Sequence, residues 1–432
     1  MYKNMKPGDL KITDLRVADI DGLPKHMILL KIYTNTDIVG YGEVRDASSA
    51  TYAKMLKSRL IGENPLNVEK LFERIRQFGG HSRQGGGVSG VEVALYDIIG
   101  KFYGVPVYQL LGGKWRDEVR IYCDTDVDGK HTGTDMGNAL KKRMEQGFTF
   151  LKMDLGIELL YDEPGTLNAP VGLIEDFKKY NMKAICHQSG SIDKSLMFGK
   201  NYQIFTIPHY TTGIHITEKG LDYLENYVKQ VRDVIGYEVP LAIDHFGHVA
   251  IEDAIRFARR LEKYNIAWME DLTPWQKTEH LKKFAQNSCV PLCTGEDIYL
   301  ADNFEKVMQA GVNVVHPDLL TGGGFVPQRS ACAGAVRKIR RSRGDSHGGK
   351  PDCVHGGRTF GGGNEKRSCR RIPLGGSPRM VRSRQPENPP EKRLYAGAGR
   401  PGTRHREPER RVDRKIPQSG LRKAVERYVG VG

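Results

Sequence analysis

Three acidic residues at equal intervals constrain the fold of this chain more than any other feature of the sequence. Asp244, Glu270 and Glu296 each follow a short apolar run, and 26 residues separate each from the next. A strand of about five residues, a helix of about eleven and two loops fill such an interval, so each carboxylate marks one βα unit. Because parallel strands of a barrel end at one rim, the three carboxylates should converge there. A hard divalent cation suits such a group of oxygens.

Apolar strands and amphipathic helices alternate from residue 119 to residue 324. We predict six strands, at residues 119–123, 148–155, 239–243, 266–269, 291–294 and 312–316. This alternation is typical of a TIM-type (β/α) barrel, which has eight units, so the predicted α/β barrel is incomplete at strands 7 and 8. The long interval between the second and third strands indicates an insertion at about residues 157–216, over the active face.

Residues 1–118 show a different pattern. Apolar and polar residues alternate at 12–18, 27–33 and 39–42, which predicts a meander of antiparallel strands. Helical periodicity follows at 66–75 and 91–99. We therefore predict an α+β domain that precedes the barrel.

The positive charge of the chain is confined to its last quarter. Residues 325–432 contain 27 Lys and Arg, 21 of them Arg, against 9 Asp and Glu, although the net charge of the whole chain is only +14. This Arg-, Gly- and Pro-rich segment has no apolar face, so we expect it to be poorly ordered. Nucleic-acid binding through its arginines is an alternative function of another class, which the absence of a stacking run or known motif disfavours.

The chain contains no apolar run long enough to cross a membrane and no N-terminal signal-peptide pattern. These features predict a cytoplasmic protein without a membrane partner.

The motifs around the three acids resemble those of a known family. Lys152 and Asp154 alternate on the predicted second strand, which puts them on one side of it. Trp268-Met269-Glu270-Asp271 and Thr294-Gly295-Glu296-Asp297 surround two of the acids, and residues 91–101 and 104–113 form a further signature before the barrel. Over residues 8–324 the chain resembles the enolase superfamily, in its mandelate racemase and muconate lactonizing branch.

This resemblance implies a fold, a cofactor and a reaction. Residues 1–118 would be an N-terminal capping domain, the barrel a modified TIM barrel, and Asp244, Glu270 and Glu296 the ligands of Mg²⁺. The family removes a proton next to a substrate carboxylate and stabilises the resulting enediolate on the metal. We expect dehydration of a sugar acid to a 2-keto-3-deoxy acid by a homo-oligomer.

Other functions stay open within the same resemblance. A racemase or epimerase and a cycloisomerase would use the same first step. A catalytically impaired protein that still binds metal is a further alternative.

The resemblance also implies catalytic residues. Family members commonly carry Lys-x-Lys on the second strand, and the position of the second lysine is Asp154 here. We therefore interpret Lys152 as a positive charge that stabilises the substrate or intermediate electrostatically. The structural alternative is that Lys152 forms an ion pair with Asp154. In the family, a histidine on strand seven pairs with an acidic residue, and Asp318 matches that acid. The chain lacks the histidine at the expected place. The alternative is that Asp318 is a helix cap or a turn residue.

Five further residues are candidates for substrate binding, with surface or packing roles as the alternative for each. They are Arg45 in the capping domain, His209 and Tyr210 in the insertion, and His245 and His248 next to Asp244.

Beyond Gly324 we interpret the sequence as coding read out of frame. Residues 347–366 and 391–410, with their codons shifted by one base, can encode sequence similar to the C-terminal part of the family. Residues 338–346 can encode a seventh strand ending in His. We hypothesise a single-base length change near the codon of Gly324, and an uninterrupted natural frame across that codon would contradict it.

Overall fold

The computed structural model describes most of the chain up to residue 325. The described residues are 5–20, 27–45, 48–79, 86–114, 116–127, 129–175, 213–244, 249–325 and 382–383. The predicted binding residues His209, Tyr210, His245 and His248 lie outside these residues, as does nearly all of the Arg-rich segment.

The N-terminal domain is a three-stranded antiparallel sheet covered by helices, as the sequence predicts. Its strands, in the order β1-β2-β3, are β1 (Ile12–Ile20), β2 (Met27–Thr34) and β3 (Val39–Val44). Alternate residues of β2 and β3 are buried, because one face of the sheet packs on the core. The helices are α1 (Ala50–Met55), α2 (Lys57–Leu60), α3 (Val68–Ile75), α4 (Gly86–Tyr103) and α5 (Val107–Leu110).

Two glycines allow the longest of these helices to lie close to the sheet. A Cβ atom at Gly42 in β3 would collide with the carbonyl oxygen of Gly90 in α4, and a Cβ atom at Gly90 would collide with the backbone of Glu43. Only glycine at both positions permits this approach, which fixes α4 against the strand that leads to Arg45.

The barrel domain contains the six predicted parallel strands. They are β4 (Tyr122–Thr125), β5 (Leu151–Asp154), β8 (Leu241–Asp244), β9 (Ile266–Glu270), β10 (Leu292–Thr294) and β11 (Val314–Val315). They lie in chain order across one sheet, so consecutive units are neighbours. This sheet also contains a short strand that was not predicted, β12 (Arg382–Ser383), which pairs in parallel with β4 at the edge of the sheet.

In the described part of the barrel domain, five amphipathic helices accompany these strands. They are α6 (Gly133–Glu145), α7 (Glu218–Ile235), α8 (Ile251–Leu261), α9 (Thr278–Asn287) and α10 (Ala301–Gln309). Their buried faces contribute Leu140, Leu224, Phe257, Phe284 and Phe304 to one continuous core with the strands. Short 3-10 helices lie at Pro7–Asp9, Arg76–Phe78, Ile157–Leu160 and Glu262–Tyr264.

The two ends of the predicted insertion are joined in the structure. Strands β6 (Leu167–Asn168) and β7 (His215–Ile216) pair in an antiparallel manner, and α7 begins directly after β7. The described residues on the two sides of positions 176–212 are therefore neighbours at this point. No helix in the described part of the chain is long and apolar enough to span a bilayer.

The capping domain packs against the barrel segment that follows β11. The Ser89 hydroxyl accepts a hydrogen bond from the backbone N–H of Gly323 at 3.0 Å, and Glu92 accepts one from that of Phe325 at 2.9 Å. The rings of Tyr96 and Phe325 meet edge to face with centroids 5.5 Å apart. Helix α4 thus contacts the chain just beyond the loop that carries Asp318.

Candidate active site

A fully buried lysine lies at the centre of the barrel sheet. The Lys152 side chain on β5 has no solvent exposure, and its Nζ atom lies 2.5 Å from Asp244 Oδ2 and 3.2 Å from Glu270 Oε2. Asp244 ends β8 and Glu270 ends β9, so the two acids come from adjacent strand ends, as the 26-residue interval predicts. The structure therefore gives Lys152 two ion-pair partners on neighbouring strands, whereas the structural alternative from the sequence was an ion pair with Asp154 on its own strand.

Electrostatics keep this lysine charged. Burial disfavours the ammonium, but the nearby carboxylates of Asp244 and Glu270 outweigh it and raise the pKa of Lys152 well above its ordinary value. Burial and the charge of Asp244 work to raise the pKa of Glu270, yet Lys152 and His316 together hold it below its ordinary value. The cluster is therefore an ionic one at neutral pH.

Glu270 has two further direct contacts, and a third residue extends one of them; none of the three was predicted as a site residue. The Trp268 indole N–H donates to Glu270 Oε2 at 2.9 Å, and His316 Nδ1 lies 2.9 Å from Glu270 Oε1. The Tyr122 hydroxyl lies 3.1 Å from His316 Nε2, so the imidazole connects the carboxylate to β4. His316 lies at the end of a predicted barrel strand, and this position is the sequence signal that could have identified it.

Further acidic side chains surround the lysine. Asp154 is the cross-strand neighbour of Asp244, and potential ligand atoms of Asp124, Asp154 and Asp244 lie within 4.8 Å of one another. Asp154 and Lys152 are both buried on β5, two residues apart, as predicted. The sequence analysis did not identify Asp124, which is the cross-strand partner of Lys152 on β4.

Asp271 is the other acidic residue that joins the cluster. Its ligand atoms lie within 4.8 Å of those of Asp244 and Glu270, and its Oδ1 accepts a hydrogen bond from the Thr294 hydroxyl at 2.7 Å. Burial and the charges of Glu270, Glu296 and Asp244 raise the pKa of Asp271 well above its ordinary value.

The third predicted ligand, Glu296, contacts an arginine of the capping domain. Arg45, which follows β3, lies with one guanidinium nitrogen 3.5 Å from Glu296 Oε2, and another forms an ion pair with Asp318. Asp318 also accepts a hydrogen bond from the backbone N–H of Leu320 at 2.7 Å. The structure thus places Asp318 in an ion pair with Arg45 and in a turn, whereas the resemblance pairs this acid with a strand-seven histidine that the chain lacks at the expected place.

The donor set of this cluster fits a hard divalent cation. Asp244, Glu270 and Asp271 provide one group of closely spaced oxygens, and Glu296, whose charge acts on Asp271, lies beside it. Mg²⁺ binds through one or two carboxylates and keeps several waters, so this number of oxygens is sufficient. The Lys152 ammonium lies between two of these carboxylates, so these acids already face a positive charge.

Comparison with known families assigns both domains. Residues 135–337 match the family described as "Enolase C-terminal domain-like". Residues 23–112 match "Mandelate racemase / muconate lactonizing enzyme, N-terminal domain". The first match extends past Gly324, where the predicted barrel stops.

Two curated relatives are sugar-acid dehydratases. The chain is 27% identical over 325 residues to D-xylonate dehydratase of Haloferax volcanii. The aligned region covers 73% of this chain and 68% of that protein. It is 28% identical over 326 residues to D-galactonate dehydratase of Verminephrobacter eiseniae, which covers 73% of this chain and 69% of that protein.

Solved structures of the same kind share the fold. A mandelate racemase/muconate lactonizing enzyme-like protein from Rubrobacter xylanophilus matches with a TM-score of 0.59 and 24% identity, over 76% of this chain and 77% of that one. The 3,6-anhydro-D-galactonate cycloisomerase of Zobellia galactanivorans matches with a TM-score of 0.55 and 21% identity, over 76% and 78% of the two chains. Because the two domain matches together span more than half of the sequence, the chain belongs to the mandelate racemase and muconate lactonizing enzyme branch of the enolase superfamily.

Proposed function

We propose that this protein catalyses the Mg²⁺-dependent dehydration of a sugar acid, an aldonate or aldarate, to a 2-keto-3-deoxy acid. One observation carries the proposal: a buried Lys152 ammonium lies between the carboxylates of Asp244 and Glu270 at two adjacent strand ends. The named activities of the two curated relatives support the choice of dehydration and of a sugar-acid substrate.

Asp244, Glu270 and Glu296 would hold the Mg²⁺ ion, with Asp271 next to them. When bound, the ion would offset the negative charge that develops on the substrate carboxylate as the adjacent carbon loses its proton. Trp268 and His316 would fix the orientation of Glu270, because each contacts one of its two oxygens at 2.9 Å.

Lys152 would supply a fixed positive charge beside the substrate. An ammonium whose pKa is raised in this way stabilises a developing anion and has no lone pair with which to accept a proton. Asp154, which occupies the position of the family's second lysine, and Asp318 stay proposed catalytic residues. Arg45, His209, Tyr210, His245 and His248 stay proposed substrate-binding residues, and assembly as a homo-oligomer stays a proposal as well.

The test is turnover by the full chain on a panel of aldonates and aldarates that includes D-xylonate and D-galactonate. We expect a 2-keto-3-deoxy acid to form with Mg²⁺ and its formation to stop in EDTA. Asp244→Asn should abolish it, whereas the same substitution at the exposed Asp222 should not. Loss of the α-hydrogen to solvent without loss of water would instead indicate a racemase or epimerase, and Mg²⁺ binding without any turnover would contradict the enzymatic proposal.

A further inference from the structure

We propose that Glu270, Cys293 and His316 form a second metal site, which takes a zinc-type divalent ion. The three residues lie on the adjacent strands β9 and β10 and directly after β11. One potential ligand atom of each lies within 4.8 Å of those of the other two. The inference goes beyond the proposed function, because it concerns a different class of metal ion and needs no assumption about the reaction.

Strand pairing explains why these three side chains meet. Cys293 on β10 is the cross-strand partner of Glu270 on β9 and of Val314 on β11. Because side chains on one face of a strand recur at every second residue, His316 continues the face of Val314. The backbone N–H of His316 donates to the carbonyl of Thr294 at 3.1 Å, which keeps it in register with β10. The free, buried thiol of Cys293 therefore lies on the strand between the acid and the imidazole.

The two carboxylate oxygens of Glu270 face different groups. Its Oε2 lies 3.2 Å from Lys152 Nζ and accepts the Trp268 indole N–H at 2.9 Å. Its Oε1 lies 2.9 Å from His316 Nδ1, so Nδ1 is the ring nitrogen that faces this group of ligand atoms. An ion held by Oε1 and Nδ1 therefore leaves Lys152 and Trp268 in place on the other oxygen.

Tyr122 orients the imidazole for a metal at Nδ1. Its hydroxyl lies 3.1 Å from His316 Nε2. A neutral imidazole that binds a metal through one nitrogen carries its proton on the other, and ligating histidines usually donate that proton to a neighbouring oxygen. The Tyr122 oxygen is that acceptor here. The His316 side chain is 15% exposed, whereas Glu270 and Cys293 are buried, so an ion reaches the site from the imidazole side.

The donor atoms select the class of ion. Mg²⁺ takes oxygen ligands, whereas a thiolate together with an imidazole favours Zn²⁺ and related transition metals. On binding, the Cys293 thiol releases its proton, and the thiolate and the carboxylate then carry the two negative charges that a divalent ion neutralises. Three protein ligands leave the fourth tetrahedral position to a water molecule.

The experiment is titration of Co²⁺, a spectroscopic substitute for Zn²⁺, into the full chain after dialysis against EDTA. We expect the near-ultraviolet charge-transfer band of a cobalt–thiolate bond, and the band should disappear when Zn²⁺ is added. Cys293→Ser should remove the band, whereas Cys123→Ser, at the other buried free thiol among the described residues, should retain it. A band of equal intensity in Cys293→Ser, or no band in the wild-type chain, would overturn the inference.

Zn²⁺ affinity, measured by competition with a chromophoric chelator, tests the other residues. Tyr122→Phe should weaken Zn²⁺ binding by about tenfold, as the loss of a group that orients a ligand does, and His316→Gln should weaken it further. These two variants decide the matter if Cys293→Ser folds poorly, and wild-type Zn²⁺ affinity in both would overturn the inference. Mg²⁺ affinity should be unchanged in Cys293→Ser, because Mg²⁺ prefers oxygen ligands.

Failure of the inference is distinguishable from failure of the proposed function. A cobalt–thiolate band that depends on Cys293, without turnover of any sugar acid, would support the metal site and contradict the dehydratase proposal. Turnover of a sugar acid by a chain that shows no such band would do the reverse.

Discussion

Charged side chains are concentrated in two regions of the barrel, and burial gives the two regions different roles. At the strand ends, Lys152, Asp244 and Glu270 have side chains that are at most 1% exposed. A second network lies on helices α7 and α8 and the 3-10 turn after them. It is formed by Glu218, Asp222, Glu225, Arg256, Arg260 and Lys263, and most of these side chains are at least one-quarter exposed. The surface network is screened by water and salt, whereas each charge of the buried cluster depends on its neighbours.

Replacing the central cation should have the largest effect. In the metal-free protein, Lys152→Met leaves Asp244 and Glu270 without the ammonium that compensates them, so we expect a loss of about 3–5 kcal/mol in the free energy of unfolding. Saturating Mg²⁺ should recover part of this loss. Urea denaturation with and without Mg²⁺ measures both effects. Lys263→Met, at an exposed cation of the surface network, is the matched control and should cost far less than Lys152→Met, because water and salt screen an exposed pair. Equal losses in the two variants would contradict the comparison.

The hydrogen bond from Trp268 to Glu270 should have the next largest effect. Trp268→Phe keeps an aromatic ring but removes an N–H donor to a buried carboxylate, which should cost about 1.5–3 kcal/mol of unfolding free energy. Trp275→Phe is the control, because the Trp275 indole nitrogen has no hydrogen-bond partner among the described residues. A cost for Trp275→Phe as large as that for Trp268→Phe would show that ring volume, and not the hydrogen bond, is responsible.

An arginine of the surface network should matter less. Arg260 contacts Glu218, Asp222 and Glu225, so Arg260→Ala removes three ion pairs in one substitution. We nevertheless expect a loss of no more than about 1 kcal/mol, because exposed pairs are individually weak. The loss should shrink further when denaturation is repeated in about 1 M salt, where the screening length is about 3 Å. A larger loss of unfolding free energy that does not depend on salt would contradict this prediction, because it would show that the network behaves like the buried cluster.

The smallest expected effect is a pH dependence. Partial burial works to raise the pKa of Glu225, but Lys263 and Arg260 outweigh it and hold that pKa below its ordinary value. A lowered pKa in the folded state contributes stability above the ordinary glutamate value of about 4.3, which is lost as the pH falls through the lower folded pKa. Glu225→Gln should therefore melt slightly below wild type at pH 7, and the difference should vanish in acid. A difference in melting temperature between wild type and Glu225→Gln that grows in acid would contradict this prediction.

The helices and strands of the fold could be predicted from local sequence patterns. The residues at which each strand begins and ends could be predicted less well. All six barrel strands occur where the apolar runs are, but β5 covers only Leu151–Asp154 of the predicted residues 148–155. Apolar residues outside a strand also enter the core, since Phe148 and Leu155 are buried without being part of β5. Hydrophobicity therefore indicates burial more reliably than hydrogen-bonded pairing.

Site residues could be predicted where the regular spacing of strands along the sequence determines their positions. Asp244 and Glu270 converge because consecutive parallel strands are neighbours, and one interval in the sequence contains that information. The Arg45–Asp318 pair joins residues 273 positions apart in two domains, and no local pattern encodes it. His316 was missed for the same reason, because its contact with Glu270 depends on how side chains of non-adjacent strands fill the barrel.

The central claim is that the buried cluster stabilises the anion formed when the carbon next to a substrate carboxylate loses its proton. The most direct test follows the α-hydrogen resonance of a sugar acid by NMR in D₂O. With the wild-type chain and Mg²⁺ we expect this resonance to disappear as product forms. With Glu270→Gln, verified as folded by circular dichroism, the rate should fall by about 10²-fold or more, since a group that orients or holds the charge-stabilising ion is lost. An equal rate in Glu270→Gln, or an undiminished wild-type rate without Mg²⁺, would contradict the account.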